Sequence, residues 1–315
     1  MTAPSQASAT TTSTRGSTTP SDPTATPHQT LQAMTGLAGR GFTVVRNNLV
    51  QVRRNGRWVG SSLGRLVHAR RHRALLAYLL VLMVAQPLDR RAKPLEAKVW
   101  ARALSPDPPA PPWPETAMTP VWTMLEEAPH RLITRERQAR LVKVTPRKEN
   151  GRGSYSRPRP DERSSDLGER YFIVPDAFWL DGWHNRLTMP AVAVLLILLA
   201  GTTGRDEAWL SPERAEDWYG VSPKTMYNGL EELRKQNLLS VREEWVPAEL
   251  SGIGKTRKNH YSLRGPFSTD ERRALQETAR AAAQKRAAVS ERRSKRARRR
   301  PAAPVASTSS AKGGD

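Results

Sequence analysis

The side chains best suited to specific chemistry lie in Ser222-Pro-Lys-Thr-Met-Tyr-Asn-Gly-Leu-Glu-Glu-Leu233. Ser222 before Pro223 pairs an N-cap hydroxyl with a proline at the first helical position, which predicts a helix start. Met226, Leu230 and Leu233 recur at helical spacing as a buried face, with Val221 and Met226 placed as a hydrophobic staple. Lys224, Thr225, Asn228, Glu231 and Lys235 then face outward, with Tyr227 beside them. An Asn amide matches the paired donor and acceptor of adenine, and a Lys ammonium matches the acceptors of guanine. The following cluster Lys255, Arg257 and Lys258, expected at the tip of a hairpin near Gly252 and Gly254, suits phosphate contact, which positions a protein without reading sequence.

Other chemistries fail on their own residues. Gly252-Ile-Gly-Lys-Thr256 resembles the end of a phosphate-binding loop, but Glu249 stands where the first glycine is required. His68-Ala-Arg-Arg-His72 spaces two histidines on one helix face, yet it lacks the metalloprotease glutamate and sits among arginines that repel a cation. Neither Tyr219, Tyr227 nor Tyr261 has the Arg or His cluster a tyrosine nucleophile needs. Glu126-Glu127 and Glu231-Glu232 read as solvent-facing helix positions rather than catalytic pairs. The absence of cysteine excludes disulfides, thiolate zinc sites, iron–sulfur clusters and a Cys nucleophile. The expectation is a protein that is not an enzyme, with no catalytic residue, metal, cofactor or small-molecule substrate.

The elements that would position these residues emerge from composition. Of 315 residues, 51 are Lys or Arg and 30 Asp or Glu, a formal net charge of +21 that favours a polyanionic partner. The length suits about two domains, so a single core spanning everything is not expected. The apolar runs Ala74–Ala85 and Ala191–Ala200 fall short of the roughly 20 residues that span a membrane and read as buried core helices. With no secretory pattern at the N-terminus, a cytoplasmic, nucleoid-associated protein is expected. Residues 1–40 read as a disordered leader, since 15 of the first 30 residues are Ser or Thr. Residues 267–315 carry 13 Lys+Arg against 5 Asp+Glu. A solvated helix is expected from Thr269 to Arg293, then a disordered tail. Arg292, Arg293, Lys295, Arg296, Arg298, Arg299 and Arg300 are its candidates for non-specific phosphate contact.

Between these ends the chain repeats itself. An apolar helix (Arg73 to Gln86) and Pro94, Ala97 and Trp100 fall opposite Met189–Gly201 and Pro212, Ala215 and Trp218. Val121, Leu125, Glu126 and Glu127 fall opposite Met226, Leu230, Glu231 and Glu232; Arg135-Glu136 opposite Arg242-Glu243; and Tyr155-Ser156 opposite Tyr261-Ser262. The Pro-rich stretch 105–115 is a loop inserted in the first copy between its second and third helices. In that copy the outward set becomes Thr119, Trp122 and Thr123, and the hairpin cations become Arg147, Lys148 and Arg152. Residues 41–158 form the first unit, 159–170 an exposed linker and 171–266 the second unit.

Helix, helix, turn, helix and basic hairpin, in that order, resemble a winged helix-turn-helix DNA-binding domain over residues 189–264. Ser222-Pro-Lys-Thr, with Leu230, Leu233 and Asn237-Leu-Leu239, is similar to the third helix and following strand of bacterial winged-helix regulators, actinobacterial ones among them. Two such units in tandem resemble the two-domain initiators of plasmid replication. The implied fold is mainly α with small β-hairpin wings (α+β): two winged helices, a disordered leader and a basic tail. The implied partner is double-stranded DNA. The third helix of the second unit would read the major groove, and the first unit would bind DNA or form a homodimer. Expected alternatives are a transcriptional regulator with the same DNA-binding parts, and a protein-interaction module whose basic tail alone touches nucleic acid.

Overall fold

A computed structural model describes residues 24–298 apart from 55, 56, 90, 92, 107, 109 and 159–165. The first half comprises α1 (Pro27–Ala38), β1 (Phe42–Arg46), the hairpin β2 (Val52–Arg54) and β3 (Arg57–Val59), α2 (Ser62–His68), α3 (His72–Asp89), α4 (Ala97–Ala103), α5 (Met118–Glu126), and the hairpin β4 (Ile133–Gln138) and β5 (Leu141–Pro146). The second comprises β6 (Tyr171–Pro175), α6 (Ala177–Leu180), α7 (Trp183–Arg186), α8 (Met189–Gly201), β7 (Ala208–Trp209), α9 (Ala215–Tyr219), α10 (Pro223–Lys235), β8 (Leu239–Pro247), β9 (Lys255–Leu263) and α11 (Thr269–Arg298). The chain is α+β, with small antiparallel sheets and a predominance of helix. Among the described residues no helix is long and apolar enough to cross a membrane.

The repeat is visible as element order. Helices α4 and α9 begin at Ala97 and Ala215, the pair that the sequence match aligns, and α5 and α10 begin at Met118 and Pro223. The Pro-rich stretch falls in the connection between α4 and α5. Helices α3 and α8 are buried along Ala74–Ala85 and Ala191–Leu199, as apolar runs of that length require.

The two halves nonetheless share one core, contrary to the expected separation. Strand β1 pairs antiparallel with β6, from Phe42 opposite Pro175 to Arg46 opposite Tyr171, so a boundary at 159–170 cuts through a sheet. One continuous apolar cluster runs from Leu31 through α3 and α8 to Phe267. The residues of the expected linker that are described, 166–170, are tied down: Asn47 and Asn48 donate backbone hydrogen bonds to Arg170 and Gly168. The α9–α10 turn is pinned to the first half. Gly220 adopts φ +69°, Ser61 Oγ donates to Tyr219 O at 2.8 Å, and a Cβ on Gly64 would come within 2.5 Å of Tyr219 O.

The expected leader is also ordered where it is described. Thr26 and Gln29 form a reciprocal capping box at the start of α1, and Leu31 and Met34 bury themselves in the common core. Composition alone hid this, because two apolar side chains at helical spacing suffice to dock a short helix. Residues 1–23 lie outside the described part, as do 299–315 of the tail. Helix α11 continues to Arg298, past the expected end at Arg293.

Two buried arginines lock the periphery. Arg46 bonds Glu149 through both its backbone N–H (3.0 Å) and its guanidinium (3.1 Å), while its Nε lies 3.0 Å from Glu169. This ties β1 to the loops after β5 and before β6. Arg272 donates to Leu199 O (3.3 Å), Thr202 Oγ1 (2.7 Å) and Phe267 O (3.0 Å). It satisfies carbonyls at the C-terminal end of α8, where a cation also suits the helix dipole, and thereby anchors α11. Burial lowers its pKa to about 10.

Asp176, buried where β6 ends, is raised by that burial to about 6, and its Oδ1 has no hydrogen-bond partner. Its folded pKa lies above the unfolded value of about 3.9. The stability it contributes is therefore present below pH 4 and lost as pH rises through about 6. Asp176→Asn is expected to unfold at higher denaturant than the parent at pH 8, by on the order of 2 kcal/mol. The difference should vanish at pH 4 in matched urea titrations.

Candidate nucleic-acid interface

Helix α10 is set by its ends and by one glycine. Ser222 Oγ accepts the Thr225 N–H (3.3 Å) and lies 2.9 Å from the Thr225 hydroxyl, the N-cap that the sequence predicts. Val221, Met226, Leu230 and Leu233 are buried as expected. Gly229 permits the close crossing of α10 on α8, since a Cβ there would lie 2.5 Å from both Pro190 O and Val194 Cγ2. Glu232 accepts the N–H (2.8 Å) and the hydroxyl of Thr188, joining α10 to the start of α8, while Glu231 pairs with Lys235 at 2.8 Å. Glu126 accepts the backbone and side-chain N–H groups of Arg135 at 2.8 and 2.7 Å. Glu126 and Glu232 are thus structural acceptors, not the merely solvent-facing positions expected.

This anchoring leaves the N-terminal outward face of α10 open. Lys224 and Asn228 are exposed, and neither side chain makes a hydrogen bond within the described residues. Thr225 is half-buried, its hydroxyl engaged with Ser222. Tyr227 is exposed, but its hydroxyl donates to Glu213 at 2.7 Å, and the other Glu213 oxygen accepts the Ser211 hydroxyl at 2.8 Å. The bond from Tyr227 holds the Glu213 carboxyl below the usual carboxylate range and raises the Tyr227 phenol. Ser211 precedes Pro212 as Ser222 precedes Pro223, yet its hydroxyl bonds Glu213 and caps no helix.

The second hairpin is longer than the sequence suggests, so Lys255, Arg257 and Lys258 lie within β9 rather than in its turn. Lys255 and Arg257 alternate with Lys258, and they share the face that continues into buried Tyr261 and Leu263. Arg257 pairs with Glu243 at 3.0 Å, Lys255 Nζ stands 4.9 Å from the Trp245 ring centroid, and Lys258 Nζ stands 5.9 Å from that of Trp209. The turn itself exposes Leu250 and Ile253.

The first copy departs from expectation in two ways. Trp122 is buried and meets Trp100 edge-on at 5.5 Å, because Met118, Val121, Trp122 and Leu125 make the core stripe of α5. Thr119 remains exposed, and Thr123 is half-buried and accepts from Arg135 at 3.3 Å. The first hairpin turns at Ala139-Arg140, with Gln138 opposite Leu141, so Arg147, Lys148 and Arg152 lie beyond it. Arg147 N–H bonds Leu132 O at 2.7 Å, Lys148 pairs with Glu169 at 3.5 Å, and Arg152 is exposed. The match of Tyr155-Ser156 to Tyr261-Ser262 misplaced this hairpin, since Tyr155 sits in a loop with Arg46 5.7 Å from its ring centroid. The cations actually at the turn are Arg137 and Arg140, both exposed, and the Gln-Ala-Arg spacing of so short a turn gave no signal for them.

Of the basic run, Arg292 is an exposed residue of α11. Arg293, Lys295, Arg296 and Arg298 continue that helix, and Arg299 and Arg300 lie outside the described residues. No known family, curated protein or solved structure matches this chain.

If the open face of α10 serves binding and its buried face serves stability, single substitutions separate the two. Gly229→Ala is expected to destabilise by roughly 1–3 kcal/mol through overpacking against Pro190. Lys224→Ala and Asn228→Ala should stay within about 0.5 kcal/mol of the parent in the same chemical denaturation.

Proposed function

We propose that the chain is a sequence-specific double-stranded DNA-binding protein built from two winged helices. It acts as a replication initiator of a plasmid or other mobile element and reads the major groove with α10. The observation that carries this reading is the pairing of Lys224 and Asn228, exposed and unengaged at the N-terminal end of α10, with a β8–β9 hairpin whose Lys255 and Arg257 are exposed. In such a unit the third helix enters the major groove and the hairpin holds the phosphates beside it. The net charge of +21 supplies the long-range attraction. The order of helices and hairpin in the first half supports a second unit of the same kind, and the shared core would hold both at a fixed spacing, as successive sites on one duplex require.

One feature of the first half favours a second reading. Its outward face offers Thr119 and little else, with Trp122 in the core and Thr123 engaged by Arg135. A half that reads no bases suits a subunit contact, and a symmetric dimer acting as a transcriptional regulator would use it so.

The two readings separate in one experiment. Duplex fragments of the source genome, or a random pool, are selected on the full chain at physiological salt, where non-specific binding is suppressed. Enrichment of directly repeated sites is expected, and one short palindrome would indicate the regulator. The double variant Lys224→Ala/Asn228→Ala should bind the selected duplex at least tenfold more weakly while binding to unrelated duplex stays the same. An unenriched pool, or a selected site that binds this variant normally, would overturn readout by α10.

A further inference from the structure

Away from α10, helix α11 packs on the β1–β6 ribbon through Leu275 and Ala279 against Phe42, Val44 and Ile173. Beside that contact lies a groove of about 890 Å³. Four arginines from three distant stretches of chain line it: Arg40, Arg157, Arg280 and Arg286. No Asp or Glu is among its described lining residues, and Arg157, Arg280 and Arg286 make no ion pair within the described part.

The arrangement of two of these arginines is specific. Arg40 and Arg157 donate to the same atom, Gln86 Oε1, at 2.6 and 3.0 Å. One amide oxygen thus holds two guanidinium groups side by side. The planar fork of arginine suits an anion with several oxygens such as phosphate, and Arg157, Arg280 and Arg286 bring three such forks to the groove. Arg280 and Arg286 on α11 continue the positive lining.

The dimensions select the form of the polyanion. One wall is a single helix and the other a two-stranded ribbon, and the volume is that of a small-molecule cleft, about 300–1,000 Å³. A duplex site covers on the order of 1,000–2,500 Å² of protein and needs an open surface. A single strand fits such a groove, with phosphates on the arginines and bases toward Tyr171 and the apolar floor of Phe42 and Val44. We propose that this groove binds single-stranded nucleic acid. The site shares no lining residue with the open face of α10, so it stands or falls independently of duplex readout. A protein with both surfaces holds a duplex on one face and a separated strand on another.

The test measures fluorescence anisotropy of a labelled oligothymidine of about 20 nucleotides with the full chain, across a salt series. The triple variant Arg157→Gln/Arg280→Gln/Arg286→Gln is expected to bind the strand at least tenfold more weakly. Its slope of log affinity against log salt should be shallower by about 2, since each lost phosphate contact removes about 0.7. Its affinity for the selected duplex should stay within about twofold, and Arg157→Lys/Arg280→Lys/Arg286→Lys should keep most of the strand binding. Three results would overturn the site: strand affinity unchanged in the Gln variant, an equal loss in Lys224→Ala/Asn228→Ala, or displacement by inorganic polyphosphate as effective as by unlabelled strand. Photo-crosslinking of a halogenated oligouridine to the unsubstituted chain gives an answer free of folding effects. Crosslinks in peptides carrying Tyr171 or Phe42 are expected, and crosslinks confined to 292–300 would contradict the site.

Discussion

Two helices that are apolar on every side, α3 and α8, dictate the rest of the molecule. A helix of this kind must be covered all round, and the short elements of either half are too few to cover its own. The halves therefore enclose the two helices together. Helix α1 closes on α3, α2 packs against both, and β1 crosses to pair with β6. Burial on this scale, at about 25 cal/mol per Å² of apolar surface removed from water, outweighs the polar ties at the edge. Those ties still decide geometry. Arg46 with Glu149 fixes the ribbon, and Arg272 fixes the direction in which α11 leaves the body.

With the scaffold set in this way, each surface feature follows from what the core leaves unused. Gly229 brings α10 close to α8 and Glu232 ties their ends, so Lys224 and Asn228 on the opposite face hold no structural contact within the described residues. The charges of the second hairpin are partly balanced, with Glu243 paired to Arg257. The groove beside α11 differs in having no acidic group among its described lining. In chain order its arginines belong to the end of α1, the loop after the first hairpin and the C-terminal helix.

How much of this could be read from sequence depends on how local the cause is. The starts of α10 and α8 and the Pro-rich insertion rest on neighbouring residues and were legible. So was the exposure of Lys224 and Asn228, because it follows from the phase of Met226, Leu230 and Leu233. The hairpin of the first copy was not. A two-residue turn at Ala139-Arg140 competes with a longer one matched through Tyr155, and only pairing partners in three dimensions decide between them. Composition misled for α1, where Leu31 and Met34 are diluted by Ser and Thr. The sharing of one core, the Arg46–Glu149 pair and the arginine groove join residues from distant parts of the chain and leave no local trace.

In the proposed reading one body presents α10 and β9 to DNA while its core stays intact. Amide hydrogen exchange of the full chain, with and without a bound duplex carrying the selected site, tests this most directly because it reports every segment at once. The account predicts slowed exchange at 222–228 and 255–259, with α3 and α8 equally slow in both states. Slowing confined to 292–298, with α10 and β9 unaffected, would contradict it and leave the basic helix end as the only contact.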